Sequence, residues 1–435
     1  MNHTCQSLLL QTLRRMQIGQ LSLQLPDGSH FRIGSPDSQP LIQVTVHDSE
    51  FFKRVVLQTD IGLGESYIAG QWDTDNLSGF LKLLILNEPY FQNPASQPLL
   101  SLARKLALAA DQLLHRFRSN TRSQSRRNIH AHYDLGNAFY QLFLDPSMTY
   151  SSAYFTDPEQ SLQHAQEEKY DRLCRKLNLK SEHHLLEIGS GWGGFALHAA
   201  RHYGCRVTTL TLSERQHAYV LEQIREHGLE AQIEIRLQDY RDIRGQFDRI
   251  ASIEMLEAVG HEHLNHYFKQ CARLLRPHGI LGLQVILSPD SRYERYRRHV
   301  DYIRKHIFPG GHLPSIDSLH KAVRRSSDWD LQHLETFGTH YAATLRQWRE
   351  QFNATEQSRR QLGFDDAFDR KWNFYFAYCE AGFDTRHIQV AQLVYASPNT
   401  LDYAYENSLH SNDDSRISRT AVDAVPQHNQ QIHTL

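Results

Sequence analysis

The chain has 435 residues, with 47 Lys and Arg against 49 Asp and Glu and a formal charge of -2; it is long enough for two ordinary domains plus tails and lacks a global positive charge for nucleic acid. Its five cysteines, Cys5, Cys174, Cys205, Cys271 and Cys379, are scattered and without C-x-x-C spacing, so neither a disulfide framework nor a metal site is suggested, and a cytoplasmic setting fits. No signal-peptide pattern opens the chain and no apolar run approaches the length of a membrane span, so any membrane contact is expected to be peripheral.

Residues 1 to about 115 read as a small α+β domain. Leu21-Ser22-Leu23-Gln24-Leu25 alternates, Pro26-Asp27-Gly28-Ser29 turns and Phe31-Arg32-Ile33 resumes the alternation, the pattern of a hairpin. Leu41 to Val46 is a further strand. Glu50 to Leu57 is expected to be helical, Gly62-Leu63-Gly64 a turn, and Phe80 to Leu86 a second helix. This unit carries no catalytic constellation, and binding or lipid docking is its expected role. Leu99 to Phe117 is an amphipathic helix by pattern. Residues 116–127, with Arg116, Arg118, Arg122, Arg126 and Arg127 and no acid, form an Arg-rich linker that is either simply solvated or drawn to acidic phospholipid headgroups.

Residues 128–398 read as the larger domain. Strands are expected at Leu185–Ile188, Val207–Leu210, Ile233–Leu237, Phe247–Ile253 and Ile280–Leu287, with helices after the glycine turn, from Glu214 to His227 and from Leu264 to Leu275. This alternation predicts a doubly wound, Rossmann-like α/β fold with a parallel sheet and a ligand at the carboxyl ends of its strands. The turn Gly189-Ser190-Gly191-Trp192-Gly193-Gly194 formally satisfies G-x-G-x-x-G, a weak dinucleotide signal by itself. Glu187 directly before it shifts the reading: a carboxylate there repels pyrophosphate and attracts an ammonium, which favours S-adenosylmethionine. The loops converging on the cofactor are Gly189–Gly194, Thr211-Leu212-Ser213-Glu214-Arg215-Gln216, Gln238-Asp239-Tyr240 and Glu254-Met255-Leu256-Glu257. Residues 399–435, rich in Asn, Ser, Asp, Gln and His, are expected to be a disordered tail.

His132-Tyr133-Asp134-Leu135-Gly136-Asn137, Leu144-Asp145-Pro146, Met148 to Phe155, the glycine turn, Leu237 to Asp242, Phe247-Asp248-Arg249-Ile250, Ile307-Phe308-Pro309-Gly310-Gly311 and Tyr378-Cys379-Glu380-Ala381-Gly382-Phe383 together resemble the cyclopropane-fatty-acyl-phospholipid synthase family. Phe51-Phe52-Lys53-Arg54 and Gly62 to Tyr67 extend the resemblance over roughly residues 40 to 395. It implies a methyltransferase that moves a methylene group from S-adenosylmethionine to the cis double bond of a phospholipid acyl chain, forming a cyclopropane ring. Peripheral contact with the inner face of the membrane is implied as well, with room for a homodimer. Cofactor contacts are expected from Tyr150, Ser151, Glu187, Gly189, Ser190, Gly191, Gly193, Thr211, Leu212, Ser213, Gln216, Gln238, Asp239 and Tyr240.

An alkene is a poor nucleophile, so the sulfonium methyl must be held close and in line. Its attack leaves a carbocation in an apolar chain, for which Tyr341 and Phe374-Tyr375-Phe376 offer aromatic faces, and ring closure then needs a base. The resemblance implies bicarbonate as that base. Glu257, Tyr341 and Cys379 match three of its ligands, whereas Ser152 stands where the family has a cysteine and Gln284 where it has a histidine. Glu380, beside Cys379, is either an internal carboxylate base or an ordinary salt-bridged glutamate. Failure of the base step would give a methyl-branched or methylene product, and a non-catalytic lipid-binding module is the alternative from another class.

Overall fold

The computed structural model describes residues 2–91, 135–398 and 400. The predicted helix Leu99–Phe117, the Arg-rich linker and all of the tail 399–435 except Thr400 lie outside the described residues. The N-terminal unit begins with a helix, Asn2–Leu13, that the sequence pattern did not announce. Strands β1 (Gln20–Gln24) and β2 (His30–Gly34) form the predicted hairpin, β3 (Leu41–Val46) pairs parallel to β1, and β4 (Trp72–Thr74) adds the edge beside β3. The alternation explains the face: Leu21, Leu23, Ile33, Ile42, Val44 and Val46 are buried beneath the helices Glu50–Ile68 and Leu77–Phe91.

The turn expected at Gly62-Leu63-Gly64 is not there. The helix Glu50–Ile68 kinks earlier, at Thr59 (φ 54°, ψ -122°), and continues through both glycines. What Gly64 provides is clearance: a Cβ on it would lie 2.4 Å from Tyr302 and 2.9 Å from Phe374, both in the larger domain.

In that domain β5 (His184–Ile188), β6 (Arg206–Thr211), β7 (Ile233–Leu237), β8 (Phe247–Ile253) and β9 (Leu275–Leu287) run parallel as expected. The all-parallel expectation is corrected at one side. Two strands missed in the sequence, β10 (Asp330–Thr336) and β11 (Gln389–Ala396), complete a seven-stranded sheet in the order β10-β11-β9-β8-β5-β6-β7, and β11 is antiparallel to both neighbours. The fold is the Rossmann-like α/β class, with the order reversing between β8, β5 and β6, where a ligand crevice opens.

The helices Gly338–Ala354 and Asp366–Asp384, also missed, pack on each other, and the second of them packs on both larger helices of the N-terminal unit. The contact is polar as well as apolar. Asp60 accepts from the Tyr302 backbone N–H at 3.0 Å and the Tyr378 hydroxyl at 3.1 Å, Arg370 reaches Asp73 at 2.8 Å, and Glu65 holds Lys305 at 2.9 Å. No helix among the described residues is long and apolar enough to cross a membrane.

Because Gly64 sits against two aromatic rings, Gly64→Ala is expected to destabilise the protein by about 1–3 kcal/mol through overpacking. Urea denaturation checks this, and an unchanged midpoint would remove Gly64 from the account of how the two units fit together.

Candidate active site

The chain leaves β5 at Glu187 and Ile188 and turns through Gly189 (φ 101°) and Gly191 (φ 49°) into the helix Gly194–Tyr203. Gly189 is needed twice over, since a Cβ would come 3.0 Å from Met255 in a backbone region that side chains avoid. A Cβ on Gly191 would meet no protein atom within 4 Å; it would project into the cleft. That cleft encloses about 1050 Å³, solvent at its mouth included.

Of the expected cofactor residues, Tyr150, Ser151, Glu187, Gly189, Ser190, Gly191, Thr211, Leu212, Gln216, Gln238 and Tyr240 line the cleft. Gly193, Ser213 and Asp239 stand behind the lining. A Gly193 Cβ would face Val220 at 3.0 Å, Ser213 caps the helix Glu214–Glu226 by accepting from the Gln216 N–H, and Asp239 is engaged by Arg241 at 2.6 Å. Glu187 is buried, accepts from Thr209 at 2.5 Å, and is pushed up to about 8 by burial, against the opposing pull of Thr209 and Lys169. A buried carboxyl with that reluctance to ionise, beside a glycine cradle, fits a ligand that brings its own positive charge. The residues present therefore suit S-adenosylmethionine, whose ammonium Glu187 would hold.

The end of the cleft beside β9 is built around a residue that sequence reasoning placed only in a converging loop. Glu254 follows β8 directly, takes φ 49°, and is half-buried at the wall of the cleft. One carboxylate oxygen accepts from the Ser152 N–H at 2.9 Å and the Gln284 Nε2 at 2.8 Å; the other accepts from the Tyr341 hydroxyl at 2.7 Å. Burial raises its proton affinity, while Lys169 and these three donors hold it down. So Ser152, Gln284 and Tyr341 do come together, and what they surround is a side chain of the protein. Non-glycine residues with positive φ are concentrated at sites where surrounding structure enforces the strain.

Glu257 lies one turn on, in the short segment Leu256–Ala258. Its Oε1 accepts from the Ile286 N–H at 2.6 Å, and its Oε2 is buried with no partner among the described residues. Burial first, and the Glu254 charge second, push it up to about 8. Cys379 is half-buried, its thiol pushed well up by burial. Glu380 does not join them. It is buried on the other face of its helix, where Ser78, Arg346 (3.1 Å) and Arg349 (3.2 Å) engage it, so the structure gives it a place in the contact between the two units.

Among the aromatic candidates, Tyr341 stacks on Phe383 at 4.4 Å, and Tyr375 meets the Tyr150 hydroxyl at 2.9 Å. Phe374 packs instead against Tyr302, and Phe376 against Phe143 and Trp372, in the aromatic core. Sequence reasoning missed Glu254, Trp192, which lines the cleft, and Lys169. Lys169 is fully buried, with its ammonium 2.6 Å from the Ser151 hydroxyl. Glu254 had a readable signal, a carboxylate at the first position past a parallel strand; a lysine within a helix had none.

Comparison with known proteins agrees with this geometry. Residues 120–393 match the family described as mycolic acid cyclopropane synthetase. The chain is 36% identical over 339 residues to tuberculostearic acid methyltransferase UfaA1 of Mycobacterium tuberculosis, covering 76% of this chain and 78% of that protein. It is 34% identical over 388 residues to the cyclopropane-fatty-acyl-phospholipid synthase of Escherichia coli K12, covering 86% and 95%. The solved structure of mycolic acid cyclopropane synthase CmaA1 complexed with SAH and CTAB superposes with a TM-score of 0.59 at 31% identity, over 62% of this chain and 98% of that one.

Gly191→Val is expected to abolish S-adenosylmethionine binding in isothermal titration while the protein stays folded, because the branched side chain would enter the cleft; undiminished affinity would displace the cofactor from this turn. A second expectation concerns pH. A carboxyl raised on folding contributes stability that is complete below its unfolded value, about 4.3, and is lost as pH climbs through its folded value. For Glu257, raised to about 8, the loss falls between those limits, so Glu257→Gln should flatten the decline of the thermal midpoint from about pH 5 to 8. An equally steep decline in the variant would assign it to other groups.

Proposed function

The chain belongs to the cyclopropane synthase family of S-adenosylmethionine-dependent methyltransferases, and on that footing we propose that it alkylates the cis double bond of an unsaturated phospholipid acyl chain and closes a cyclopropane ring, with Glu254 as the base. The observation that carries this reading is the convergence of the Ser152 N–H, the Gln284 amide and the Tyr341 hydroxyl on the Glu254 carboxylate. Two of these residues occupy positions where the family resemblance puts different side chains around a bicarbonate ion. A carboxylate has the charge and the planar oxygens of that anion, so a tethered glutamate meets the same donors without a diffusible ion.

S-adenosylmethionine supplies an electrophilic methyl group. The chain's residues do the rest. Glu187 and the glycine turn hold the cofactor's methionine end, and enclosure by the cleft keeps water from the cation that forms on the acyl chain. One C–H bond of the transferred methyl then breaks; its electron pair closes the ring and its proton passes to Glu254. Tyr341 donates to the other oxygen throughout, keeping the carboxylate oriented.

A second reading uses the same base. A hydride shift along the acyl chain before proton loss leaves the cation on the methylated carbon, and loss of a methyl proton to Glu254 then gives a methylene branch. Similarity to a relative named as a tuberculostearic acid methyltransferase favours it. The N-terminal unit, on this proposal, docks the enzyme on the membrane, and bicarbonate is not required.

Glu254→Gln should slow single-turnover product formation on dioleoylphosphatidylglycerol vesicles about 10²–10⁴-fold, with S-adenosylmethionine affinity kept within a few-fold. Depleting bicarbonate should leave the wild type unchanged. Near-normal turnover by the variant, or a wild type that needs bicarbonate, would overturn the assignment, and mass spectrometry of the lipid separates ring from branch.

A further inference from the structure

A row of polar side chains crosses the sheet beneath the site. Glu335 on β10 is paired with Gln392 on β11, Gln392 is paired with Gln284 on β9, and Gln284 is paired with Ile253, the last residue of β8 before Glu254. Gln284 and Gln392 are 0% and 1% exposed. Two amides at the centre of a sheet otherwise filled by Leu281, Leu283, Val285, Leu393 and Val394 are costly to bury and repay that cost only if fully hydrogen-bonded.

They are bonded in one direction. The Lys176 ammonium donates to Gln392 Oε1 at 2.7 Å, Gln392 Nε2 donates to Gln284 Oε1 at 3.1 Å, and Gln284 Nε2 donates to Glu254 at 2.8 Å. An ammonium has donors and no acceptor, so it dictates which end of Gln392 faces it. Gln392 must then offer its NH₂ to Gln284, and Gln284 must offer its own to Glu254. Weaker bonds from the same NH₂ groups to the Lys169 carbonyl (3.2 Å) and the Ser152 carbonyl (3.4 Å) support the same orientation. The Glu254 N–H also donates to the Gln284 carbonyl at 2.7 Å, so Gln284 grips both the backbone and the side chain of the glutamate.

We propose that Lys176 is a positioning residue which, through Gln392 and Gln284, fixes the donor end of an amide relay on Glu254 and so tunes that carboxylate as a proton acceptor. The inference rests on the reading of Glu254 as the base. Lys176 itself is held by Glu335 at 2.5 Å, with Arg172 on the other oxygen of the same carboxylate at 2.6 Å, and Arg175 and His333 nearby. Around Glu254 the charged or titratable groups are Lys169 from the helix Leu162–Lys176, Glu257 from the turn after β8, and Tyr341 from the helix Gly338–Ala354. None of these is altered when Lys176 is changed. Burial pushes Lys176 down to about 8 against the pull of Glu335.

The test is the pH dependence of single-turnover product formation on dioleoylphosphatidylglycerol vesicles. Lys176→Met and Gln392→Leu should each move the acid limb upward by roughly half a pH unit, about a threefold lower rate at a fixed pH below it. Lys176→Arg should leave the limb in place, and the Lys176→Met, Gln392→Leu double variant should shift it no further than either single one, since both cut the same chain. A limb unmoved in a folded Lys176→Met, whatever its thermal midpoint, would overturn the relay; should that variant not fold, Gln392→Leu decides by the same criterion. Glu254→Gln separates the two readings: if it keeps both the wild-type rate and the wild-type limb, the base assignment fails, whereas a slow, limb-free Glu254→Gln beside an unmoved Lys176→Met limits the failure to the relay.

Discussion

A half-buried carboxylate at the wall of a cleft takes most of its hydrogen bonds from the protein, and much of the larger domain is arranged so that Glu254 does. Ser152 comes from the loop before the helix Leu162–Lys176, Gln284 from the middle of the sheet, and Tyr341 from a helix that follows it in the chain. Three separate segments therefore meet at one side chain, in a backbone conformation at φ 49° that only surrounding structure sustains. Each donor lowers the cost of charge there, while burial raises it. The balance leaves a carboxylate that is ionised with reluctance and takes a proton readily, as the proposed role of base would require.

The cofactor half of this site was legible in the sequence because its physics is local. A strand, a carboxylate, positive-φ glycines and a helix are contiguous, and their spacing determines their geometry. The parallel strands were legible for a similar reason, since runs such as Leu185 to Ile188 and Phe247 to Ile253 are short, apolar and bounded by turns. The strands β10 and β11 were not. Asp330–Thr336 is largely polar and half-exposed, and Gln389–Ala396 carries Gln392 in mid-strand, a residue that argues against a buried strand until its partners on three other segments are known. Polar side chains deep in a sheet are explained by tertiary contacts, which no single stretch displays.

The same distinction separates Glu380 from Glu254. Adjacency to Cys379 in sequence suggested that Glu380 shares the site, but successive residues on a helix point about 100° apart, and Glu380 turns toward Arg346, Arg349 and Ser78. Its role lies in joining the helix Asp366–Asp384 to the N-terminal unit. Gly62 and Gly64 carry a parallel lesson, because glycine in a helix was read as a break when Gly62 provides room for the Arg54 backbone and Gly64 for Tyr302 and Phe374 to approach. In both cases the residue type was informative and its direction was not.

Lys169 bears on how the two ends of the cleft work together. It is fully buried, and burial pushes it down to about 7 even though Glu254, Asp145 and Glu187 all favour its charge. One cation thus favours charge on Glu187 and Glu254 at once, and Glu187 is pushed up to about 8 despite it. An ammonium arriving with the cofactor supplies Glu187 with a partner of its own. Lys169 favours the ionised form of Glu254 as well, so a single buried ammonium bears on the charge of two carboxyl groups that line the same cleft.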